Sequence, residues 1–532
     1  MNWVPRALLL GCLLLILPGA VQGQNNRLIE TGDRLYGPIQ NLQQRGYLLS
    51  LHPSSLPYTT GAVREAVQDV DLSTLRGVER RWYRTLRTAL PTREPNVDSM
   101  RVGGTATAGL RRSSSERLNV LEPLGDGKPA LPRLHLDGYM EWGPWIGQAG
   151  MTIDWFYDID PDGLDTVNRL YGRSEQVYLG YNGSRVGAYL GRFDTHWALH
   201  DRQGGLLTDN PRSFDQLQLR FGGSTLSFRS ILGALDNMSA DSTFTGNATG
   251  AGATRRFVFL HRLDWSPTPT LKLSAMEGEL YSSRTAGLSP RRLVPLHTLF
   301  FDSHGAPQNN KTNLILGGAI WYQPGPVTLH VQGTLDDILV SRREERKENG
   351  RFYPAIYTIN SSATWAGVTP RLDAGMELDI VSTNSYRTYD RAQEWSYAQR
   401  GLATNFSDYV RSEAHLTWYP SWGPGLEIEP ALSMYWKGEG DFRRLKINYN
   451  TGPGDSFPSV LSGTVERTVR PSLTLRYQTL SVPVFGPQNS ARFRLWLDAD
   501  MGVNVIQAHD HRADVSDRRF VGLFRVFGQV TF

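Results

Sequence analysis

Polar side chains recur at every second position in several otherwise apolar segments of this sequence. The set consists of Arg133, His135, Asp137, Glu141, His330, Gln332, Asp336, Arg492, Arg494, Asp498 and Asp500. Alternate residues of an extended strand point to one face, so these side chains would share a surface. Carboxylates, arginines and imidazoles on such a surface could hydrogen-bond to sugar hydroxyls, or could pair with one another and fill an interior. The sequence leaves both alternatives open.

Two histidine groupings could support other chemistry. His196, His200 and Asp201 precede Ser213, which is the residue content of an acyl-transfer site, but no Gly-x-Ser-x-Gly elbow accompanies them. A hydrolase is therefore a minor alternative. The segment 509–511 offers two imidazoles to a metal ion. Without a third ligand nearby in the sequence, a solvated loop is expected there.

Three aspartates could hold a calcium ion. Asp158, Asp160 and Asp162 lie at alternate positions before Gly163, as in the first half of a calcium-binding loop. Ca²⁺ is the only specific cofactor that the sequence suggests. Arg169 stands where such a loop places its bidentate glutamate, which favours an acidic loop without an ion.

Composition and the first residues narrow the class of protein. The chain has 532 residues and a formal net charge of +4, which does not suggest a nucleic-acid partner. Arg6, the apolar run 7–17 and the residues at 21–23 predict a signal peptide over residues 1–23. The single cysteine, Cys12, lies in this segment, so we expect a mature chain without disulfide chemistry.

From about residue 101 onward, apolar and polar residues alternate in segments of about ten residues, the length of a tilted transmembrane strand. Residues 133–142, 327–336 and 491–503 show this pattern. A soluble β-sandwich has the same period, so the connections between segments decide between the two folds.

Short turns and long polar loops alternate along the chain. Short turns are expected at 143–146, 182–184, 222–223, 266–269, 323–326, 366–369 and 420–424, with a longer one at 480–490. Long loops are expected at 158–172, 194–212, 234–254, 282–311, 340–355, 381–408, 437–464 and 506–518. Bacterial barrels alternate periplasmic turns and external loops in this way. We therefore predict an all-β fold, a transmembrane antiparallel β-barrel of about 18 strands over residues 99–532.

Aromatic residues support the barrel. Beside the expected short turns lie Trp142, Trp145, Trp265, Trp321, Tyr322, Trp365, Trp418, Tyr419 and Trp422, as in an interfacial girdle. In the last segment, one apolar face contains Phe524, Val526, Val530 and Phe532. Such a strand would close the barrel and act as the signal that the barrel-insertion machinery reads.

Residues 24–98 have a different pattern. Segments 33–46 and 60–70 are predicted to be helical, and a third helix is predicted after a Ser73 cap. We expect a small periplasmic helical region that plugs the mouth of the barrel or binds a periplasmic partner.

Several motifs resemble one family of outer-membrane proteins. They lie at 37–46 with 56–58, at 191–193 with 196–197, at 206–212, at 257–264 with Pro267, at 313–318 and at 335–337. Together they resemble the Wzi capsule-assembly family. One departure is Trp197-Ala198-Leu199-His200, where the family has a Trp-Gly-Pro-Gly run.

The resemblance implies a cell outer-membrane protein that attaches or assembles capsule or exopolysaccharide at the surface, binding polysaccharide without catalysis. The implied partners are surface polysaccharide, outer-membrane lipid and lipopolysaccharide. His196, Trp197 and Arg202 of the tryptophan-bearing loop join the alternating set as expected binding residues. A porin-like channel, which needs an open polar lumen, and an outer-membrane lipase or acyltransferase remain alternatives.

Overall fold

The computed structural model describes residues 26–90, 100–125, 130–163, 172–238, 253–283, 292, 294, 297–300, 311–336, 355–388, 390–443, 459–484 and 491–532. The predicted signal peptide, residues 1–23, lies outside these ranges.

Within the described ranges, eighteen long strands and the short strand Val482–Pro483 form one sheet. The long strands are β1 (Arg101–Ser113), β2 (Leu131–Trp142), β3 (Trp145–Asp154), β4 (Gly172–Asn182), β5 (Val186–Phe193), β6 (Phe214–Gly222), β7 (Leu226–Ala234), β8 (Arg255–Thr268), β9 (Leu271–Ser283), β10 (Lys311–Tyr322), β11 (Val327–Asp336), β12 (Tyr357–Thr369), β13 (Leu372–Val381), β14 (Tyr409–Trp418), β15 (Leu426–Lys437), β16 (Glu466–Gln478), β17 (Arg492–Gln507) and β18 (Ser516–Thr531).

The sheet is antiparallel and closed. Each long strand pairs with its neighbours in sequence, and β1 also pairs with β18. Ala106 lies opposite Val530, and Gly104 and Phe532 exchange two backbone hydrogen bonds of 3.0 Å. The prediction of an all-β barrel of about 18 strands is confirmed. None of the described helices is long and apolar enough to cross a membrane.

The two faces of the wall differ as the alternation predicts. Val102, Leu136 and Leu335 are exposed on the outward face, whereas the polar residues between such positions point inward. On β18, Phe524 and Phe532 are 46% and 60% exposed. The apolar face of this strand therefore points outward, as the predicted insertion signal requires.

Most of the predicted aromatic girdle is present. The exposed members at the short-turn ends are Trp142, Trp265, Tyr322, Trp365, Trp418 and Trp422. Trp321 and Tyr419 are exceptions, because they are buried toward the interior. Tyr419 makes an edge contact with Trp82, with ring centroids 5.1 Å apart.

The described helical region contains three short helices, α1 (Tyr36–Gln43), α2 (Thr60–Gln68) and α3 (Val78–Ala89). Elsewhere in the described ranges, 3₁₀ turns lie at Trp155–Asp158, Arg391–Gln393 and His509–His511. The third helix begins at Val78 rather than directly after Ser73. Gly77, with φ of +50°, precedes it and interrupts the helical path.

The helical region lies at the short-turn end of the barrel and is bonded to the wall there. Arg45 donates to both carboxylate oxygens of Asp373, at 2.6 and 2.8 Å. Arg81 donates to the carbonyl of Gln478 at 2.6 Å. Both acceptors lie at the short-turn ends of their strands, so we call residues 26–90 the plug.

Two long loops fold into the barrel instead of projecting from it. The β5–β6 loop and the β13–β14 loop form a hydrophobic cluster with the inner face of β6–β10, and we call this cluster the loop core. Its main members are Trp197, Leu206, Leu207, Tyr386, Trp395, Leu402, Phe406, Phe214, Ile231, Val258, Leu260, Met276, Leu280 and Ile315. The Trp395 indole donates to the Leu206 carbonyl at 2.8 Å, which joins the two loops.

The outward face of β8–β9 departs from the alternation. His261 and Glu277 point outward and lie 2.9 Å apart, and Glu279 on the same face pairs with Arg292 at 2.8 Å. Glu277 also accepts the backbone N–H of Leu299 at 3.1 Å. Residues of the β9–β10 loop therefore cover this part of the outer wall and neutralise charges that would be costly against lipid.

Candidate functional site

Solvent space separates the wall of β14–β18 and β1–β3 from the plug and the loop core. Two cavities of about 450 and 620 Å³ share lining residues, including Arg34, Asp201 and Asp498. We call them together the charged chamber. The charged side chains that line it include Arg27, Glu30, Arg34, Arg111, Arg133, His135, Asp137, Asp201, Arg202, Arg411, Glu413, His415, Glu427, Glu429, Arg470, Arg476, Arg494, Asp498, Asp500 and Arg525.

Many of these charges are paired across neighbouring strands. Arg476 donates to both oxygens of Glu429 at 3.0 Å. Arg411 contacts both Glu377 and Asp379 at 2.9 Å. Such a lining presents donors and acceptors side by side, which suits hydroxyl-bearing ligands better than a surface of one sign does.

The structure brings Arg133, His135, Asp137, Arg494 and Asp498 of the predicted set together on the chamber wall, with Asp500 beside them. The sequence reasoning missed the chamber residues on three other strands. They include Arg411, Glu413, His415, Glu429, Arg470 and Arg476. The same alternation of polar and apolar residues in β14, β15 and β16 could have found them.

Two other predicted residues lie at the short-turn end. Glu141 accepts the backbone N–H of Asn26 at 2.8 Å and that of Arg27 at 3.1 Å. It therefore anchors the beginning of the plug. Arg492, which pairs in register with Thr531, lies outside the chamber lining.

Three predicted residues of β11 face the loop core. Gln332 donates to the carbonyl of Trp197 at 3.1 Å, and Asp336 accepts the N–H of Tyr386 at 2.6 Å. His330 is 4% exposed. Gln332 and Asp336 hold the inward-folded loops, and all three side chains are buried and not accessible to a polymer outside the barrel.

His196 and Trp197 belong to the interior as well. The His196 ring nitrogens lie 2.9 Å from Asp209 Oδ1 and 2.9 Å from the Leu199 carbonyl. Burial lowers the pKa of His196, but the charge and hydrogen bond of Asp209, the Leu199 carbonyl and the charge of Asp201 together raise the net pKa. Both nitrogens are engaged, which leaves neither poised to activate a hydroxyl. Trp197 is 0% exposed.

Arg202 does face the chamber. It pairs with Glu377 on β13, so it links the inward-folded β5–β6 loop to the charged wall. The expectation of an external binding loop at 194–212 is therefore wrong, because this segment packs inside the barrel.

Two of the three aspartates of the predicted calcium loop are engaged by arginines. Asp160 pairs with Arg400, and Asp162 accepts from Arg117 at 2.7 Å. Asp158 lies in the 3₁₀ turn that precedes them. Guanidinium groups thus neutralise two of the carboxylates that a calcium ion would need.

A second recess opens among the long loops, where β15–β18 end. This outer vestibule has a volume of about 480 Å³. It is lined by Arg117, Asn119, Val120, Phe406, Lys437, Glu439, Gly440, Asp441, Glu466, Thr468, Asn504, Ile506, His509, Asp510, His511 and Arg519. His509 lies 3.2 Å from Asp510 and 3.5 Å from Glu466, and also contacts Arg519.

A short hairpin separates the outer vestibule from the charged chamber. Its strands are Arg117–Asn119 and Glu122–Pro123, and Asn119 lines both spaces. Asn504 donates to the Leu118 carbonyl at 3.0 Å, which fixes this partition hairpin to β17.

A closed antiparallel barrel with an apolar outer belt and an occupied lumen is the architecture of outer-membrane proteins. No protein-family model matches the sequence, and no curated protein sequence matches it. One solved structure with a similar fold is Wzi from Escherichia coli, described as an outer-membrane protein involved in group 1 capsule assembly and a carbohydrate-binding β-barrel.

The Wzi structure aligns with a TM-score of 0.60 over 95% of this chain and 99% of that chain, at 12% identity. The predicted resemblance to Wzi is thus confirmed for the fold. OccD3 from Pseudomonas aeruginosa aligns with a TM-score of 0.42 over 82% of this chain and 92% of that chain, also at 12% identity. That score is too low to support any conclusion.

Proposed function

We propose that this chain is a non-catalytic outer-membrane barrel that binds surface polysaccharide at its outer vestibule and so helps to attach or assemble it. The observation that carries the proposal is an open recess at the long-loop end, above a lumen that the loop core and the partition hairpin interrupt. Its volume of about 480 Å³ falls within the range of about 300–1,000 Å³ that is usual for small-ligand pockets. A recess of this size would hold a few sugar units of a longer polymer.

The chemistry of the vestibule supports a sugar ligand. Arg519 can donate to hydroxyls or to sugar carboxylates, and Glu439 and Asp441 can accept from hydroxyls. Phe406 adds an apolar surface, over which Arg117 lies at 5.6 Å from the ring centre. Mixed charge and one aromatic face fit a polyhydroxylated ligand better than they fit a purely anionic one.

The likeness to Wzi supports the same proposal. Wzi is described as a carbohydrate-binding barrel, and the two chains share a fold over nearly their whole length. By this analogy, the partners are surface polysaccharide and the lipid and lipopolysaccharide around the barrel. The location in the outer membrane, after export by a signal peptide, is part of the proposal.

The interruption of the lumen argues against the alternative function, a porin-like channel. The plug lies at the short-turn end, the loop core fills the side of β6–β10, and the partition hairpin lies across the remaining space. A diffusion channel requires a continuous polar path.

The test measures binding of the detergent-purified full-length barrel to a panel of bacterial surface polysaccharides. The double variant Glu439→Gln, Arg519→Gln removes two exposed vestibule charges. Arg192→Gln, which removes an arginine on the outer wall beside Asp215, is the matched control. A deletion of the β5–β6 loop, residues 194–212, is unsuitable as a variant for this binding test, because it would remove Trp197 from the loop core.

We expect saturable binding of at least one polysaccharide, weakened about tenfold or more by the double variant and unchanged by the control. Equal binding by all three proteins would place the sugar site elsewhere. No binding to any polysaccharide, together with a stable large conductance in planar bilayers, would favour the channel instead.

A further inference from the structure

A histidine and two carboxylates from separate parts of the chain meet on the wall of the charged chamber. His135 and Asp137 are successive inward positions on β2, and Glu30 comes from the plug. His135 Nε2 lies 2.9 Å from Glu30 Oε1 and 3.7 Å from Asp137 Oδ2. We propose that these three residues form a Zn²⁺ site that joins the plug to the barrel wall.

The position of His135 Nε2 is the first argument. This atom is buried and has no hydrogen-bond partner of acceptable angle, although Glu30 Oε1 is only 2.9 Å away. Two ligands of one metal ion both point at the ion and not at each other. An oxygen that lies close to a ring nitrogen but away from its N–H direction fits that arrangement. With zinc–ligand bonds of about 2.1 Å, ligands lie about 3.0 Å apart at right angles and about 3.4 Å apart at tetrahedral angles.

The observed separations are close to that range. The distances of 2.9 and 3.7 Å lie on either side of it, and one ligand atom of each residue lies within 4.8 Å of the other two. One imidazole nitrogen with two carboxylate oxygens is a donor set that zinc accepts and that calcium and magnesium, which prefer oxygen alone, do not.

Neighbouring side chains hold the ligands in place. The second ring nitrogen of His135, Nδ1, lies 2.8 Å from the Thr152 hydroxyl. Gln148 donates to Asp137 Oδ1 at 3.4 Å, which leaves Oδ2 directed toward His135. Metal-bound histidines and carboxylates usually have such outer partners, which fix the ring orientation and the oxygen that binds.

An ion could reach the site through the chamber. The Glu30 side chain is 28% exposed and lines the chamber beside His135 and Asp137. Three protein ligands leave a fourth position for water on that side. Arg27, whose guanidinium lies 3.9 Å from Asp137, lowers the local negative charge, so we expect weaker binding than in a closed structural zinc site.

The bound ion would connect two parts of the chain that are about one hundred residues apart. The plug otherwise meets β2 through hydrogen bonds, such as those from its backbone to Glu141. A metal bond to Glu30 would therefore make release of the plug depend on zinc.

The test uses the full-length protein, purified in detergent with a tag that contains no histidine. After treatment with EDTA, the protein is dialysed against buffered Zn²⁺ and the bound metal is counted by mass spectrometry. We expect close to one zinc per chain, and a loss of affinity of roughly tenfold or more in Glu30→Gln and in Asp137→Asn. His330→Asn and His509→Asn, which change histidines elsewhere, should keep the metal.

A second readout examines the plug. Zinc should slow proteolysis or hydrogen exchange of residues 26–35 in the wild-type protein and should have no effect in Glu30→Gln. If a ligand variant does not fold, Thr152→Val retains all three ligands and should still weaken zinc binding measurably. Absence of zinc from the wild-type protein would overturn the proposal, and so would equal zinc in Glu30→Gln. A proton shared between His135 and the two carboxylates would then explain their proximity.

Discussion

The two halves of the barrel interior follow the same strand alternation but have opposite characters. The inner face of β6–β10 presents Ile231, Leu260 and Ile315 to a loop core that excludes water. The inner face of β14–β18 presents Arg476 and Asp498 to a solvent-filled chamber. Alternation therefore determines which residues point inward. Whether the inward side is wet depends on what folds into the lumen.

Burial explains why the two halves should respond differently to substitution. We call the half filled by the loop core the dry half and the half that contains the charged chamber the wet half. In the dry half, Trp197 and Trp395 are 0% exposed, and Arg256 and Asp236 form an ion pair with side chains 0% and 1% exposed. In the chamber, Arg476 is 37% exposed. Removing a packed or desolvated group costs several kcal/mol, whereas a hydrated ion pair contributes little.

The largest expected effect is that of Trp197→Ala. The change leaves a large cavity between the two inward-folded loops and should cost about 3–5 kcal/mol. Trp422→Ala, at a position 69% exposed, should cost less than about 0.5 kcal/mol. Thermal unfolding in detergent measures both, and conductance shows whether the loops leave the lumen. Equal stability of the two variants would mean that the loop core does not stabilise the barrel.

The second test concerns the point where the plug meets the dry half. Asp264 accepts from Arg262 at 2.7 Å and from the Ser55 hydroxyl at 3.0 Å. Asp264→Asn would leave the guanidinium of Arg262, 0% exposed, without its counter-charge, at a cost of about 3 kcal/mol. Asp215→Asn, which breaks the exposed pair with Arg192, is the control. The prediction fails if both variants unfold at the same denaturant concentration.

The sequence predicted the wall better than it predicted the contents of the lumen. Strand positions and inward faces follow from a period of two, which local sequence determines. The inward folding of loop 194–212 depends on contacts with a second loop nearly two hundred residues away, such as Trp395 to Leu206. One local signal existed: apolar residues such as Trp197 and Leu206–Leu207 are unusual in a loop expected to be in water.

Glu277 and Glu279 show the limit of the alternation rule itself. Both point outward, where apolar residues are expected, because Arg292 and the Leu299 backbone cover them. A covering segment is a tertiary feature, so the alternation of residues within β9 could not have predicted it. Conversely, the residues of β14 and β16 that line the chamber follow the rule, and applying it to every strand would have found them.

The third test uses pH and the plug residue His52. His52 lies 3.4 Å from Asp264 and 3.5 Å from Arg262, with Ser274 at 3.4 Å. Burial, together with the positive charges of Arg262, Lys272 and Arg229, lowers the pKa of His52 to about 3 against the raising effect of Asp264. Because the pKa falls on folding, the stabilisation is complete above about pH 6.5 and is lost as the pH falls.

At pH 4.5 this loss should reach roughly 2–3 kcal/mol. His52→Gln should remove that part of the pH dependence. Hydrogen exchange of the plug amides between pH 7 and pH 4.5, after correction for the intrinsic exchange rate, measures the effect. Parallel pH profiles for the wild-type protein and His52→Gln would show that another group is responsible.

The smallest expected effect tests the wet half directly. Glu429→Gln breaks the bidentate pair with Arg476, yet water in the chamber can solvate the guanidinium that remains, so the cost should stay below about 1 kcal/mol. Asp236→Asn is the matched change in the dry half, because it removes the counter-charge of the fully buried Arg256. It should cost about 3–5 kcal/mol.

The ratio of the two losses matters more than either value, since both variants replace a carboxylate with an amide of the same shape beside an arginine. A ratio near one would mean that the charged chamber is desolvated like the loop core, and the distinction between the two halves would not hold.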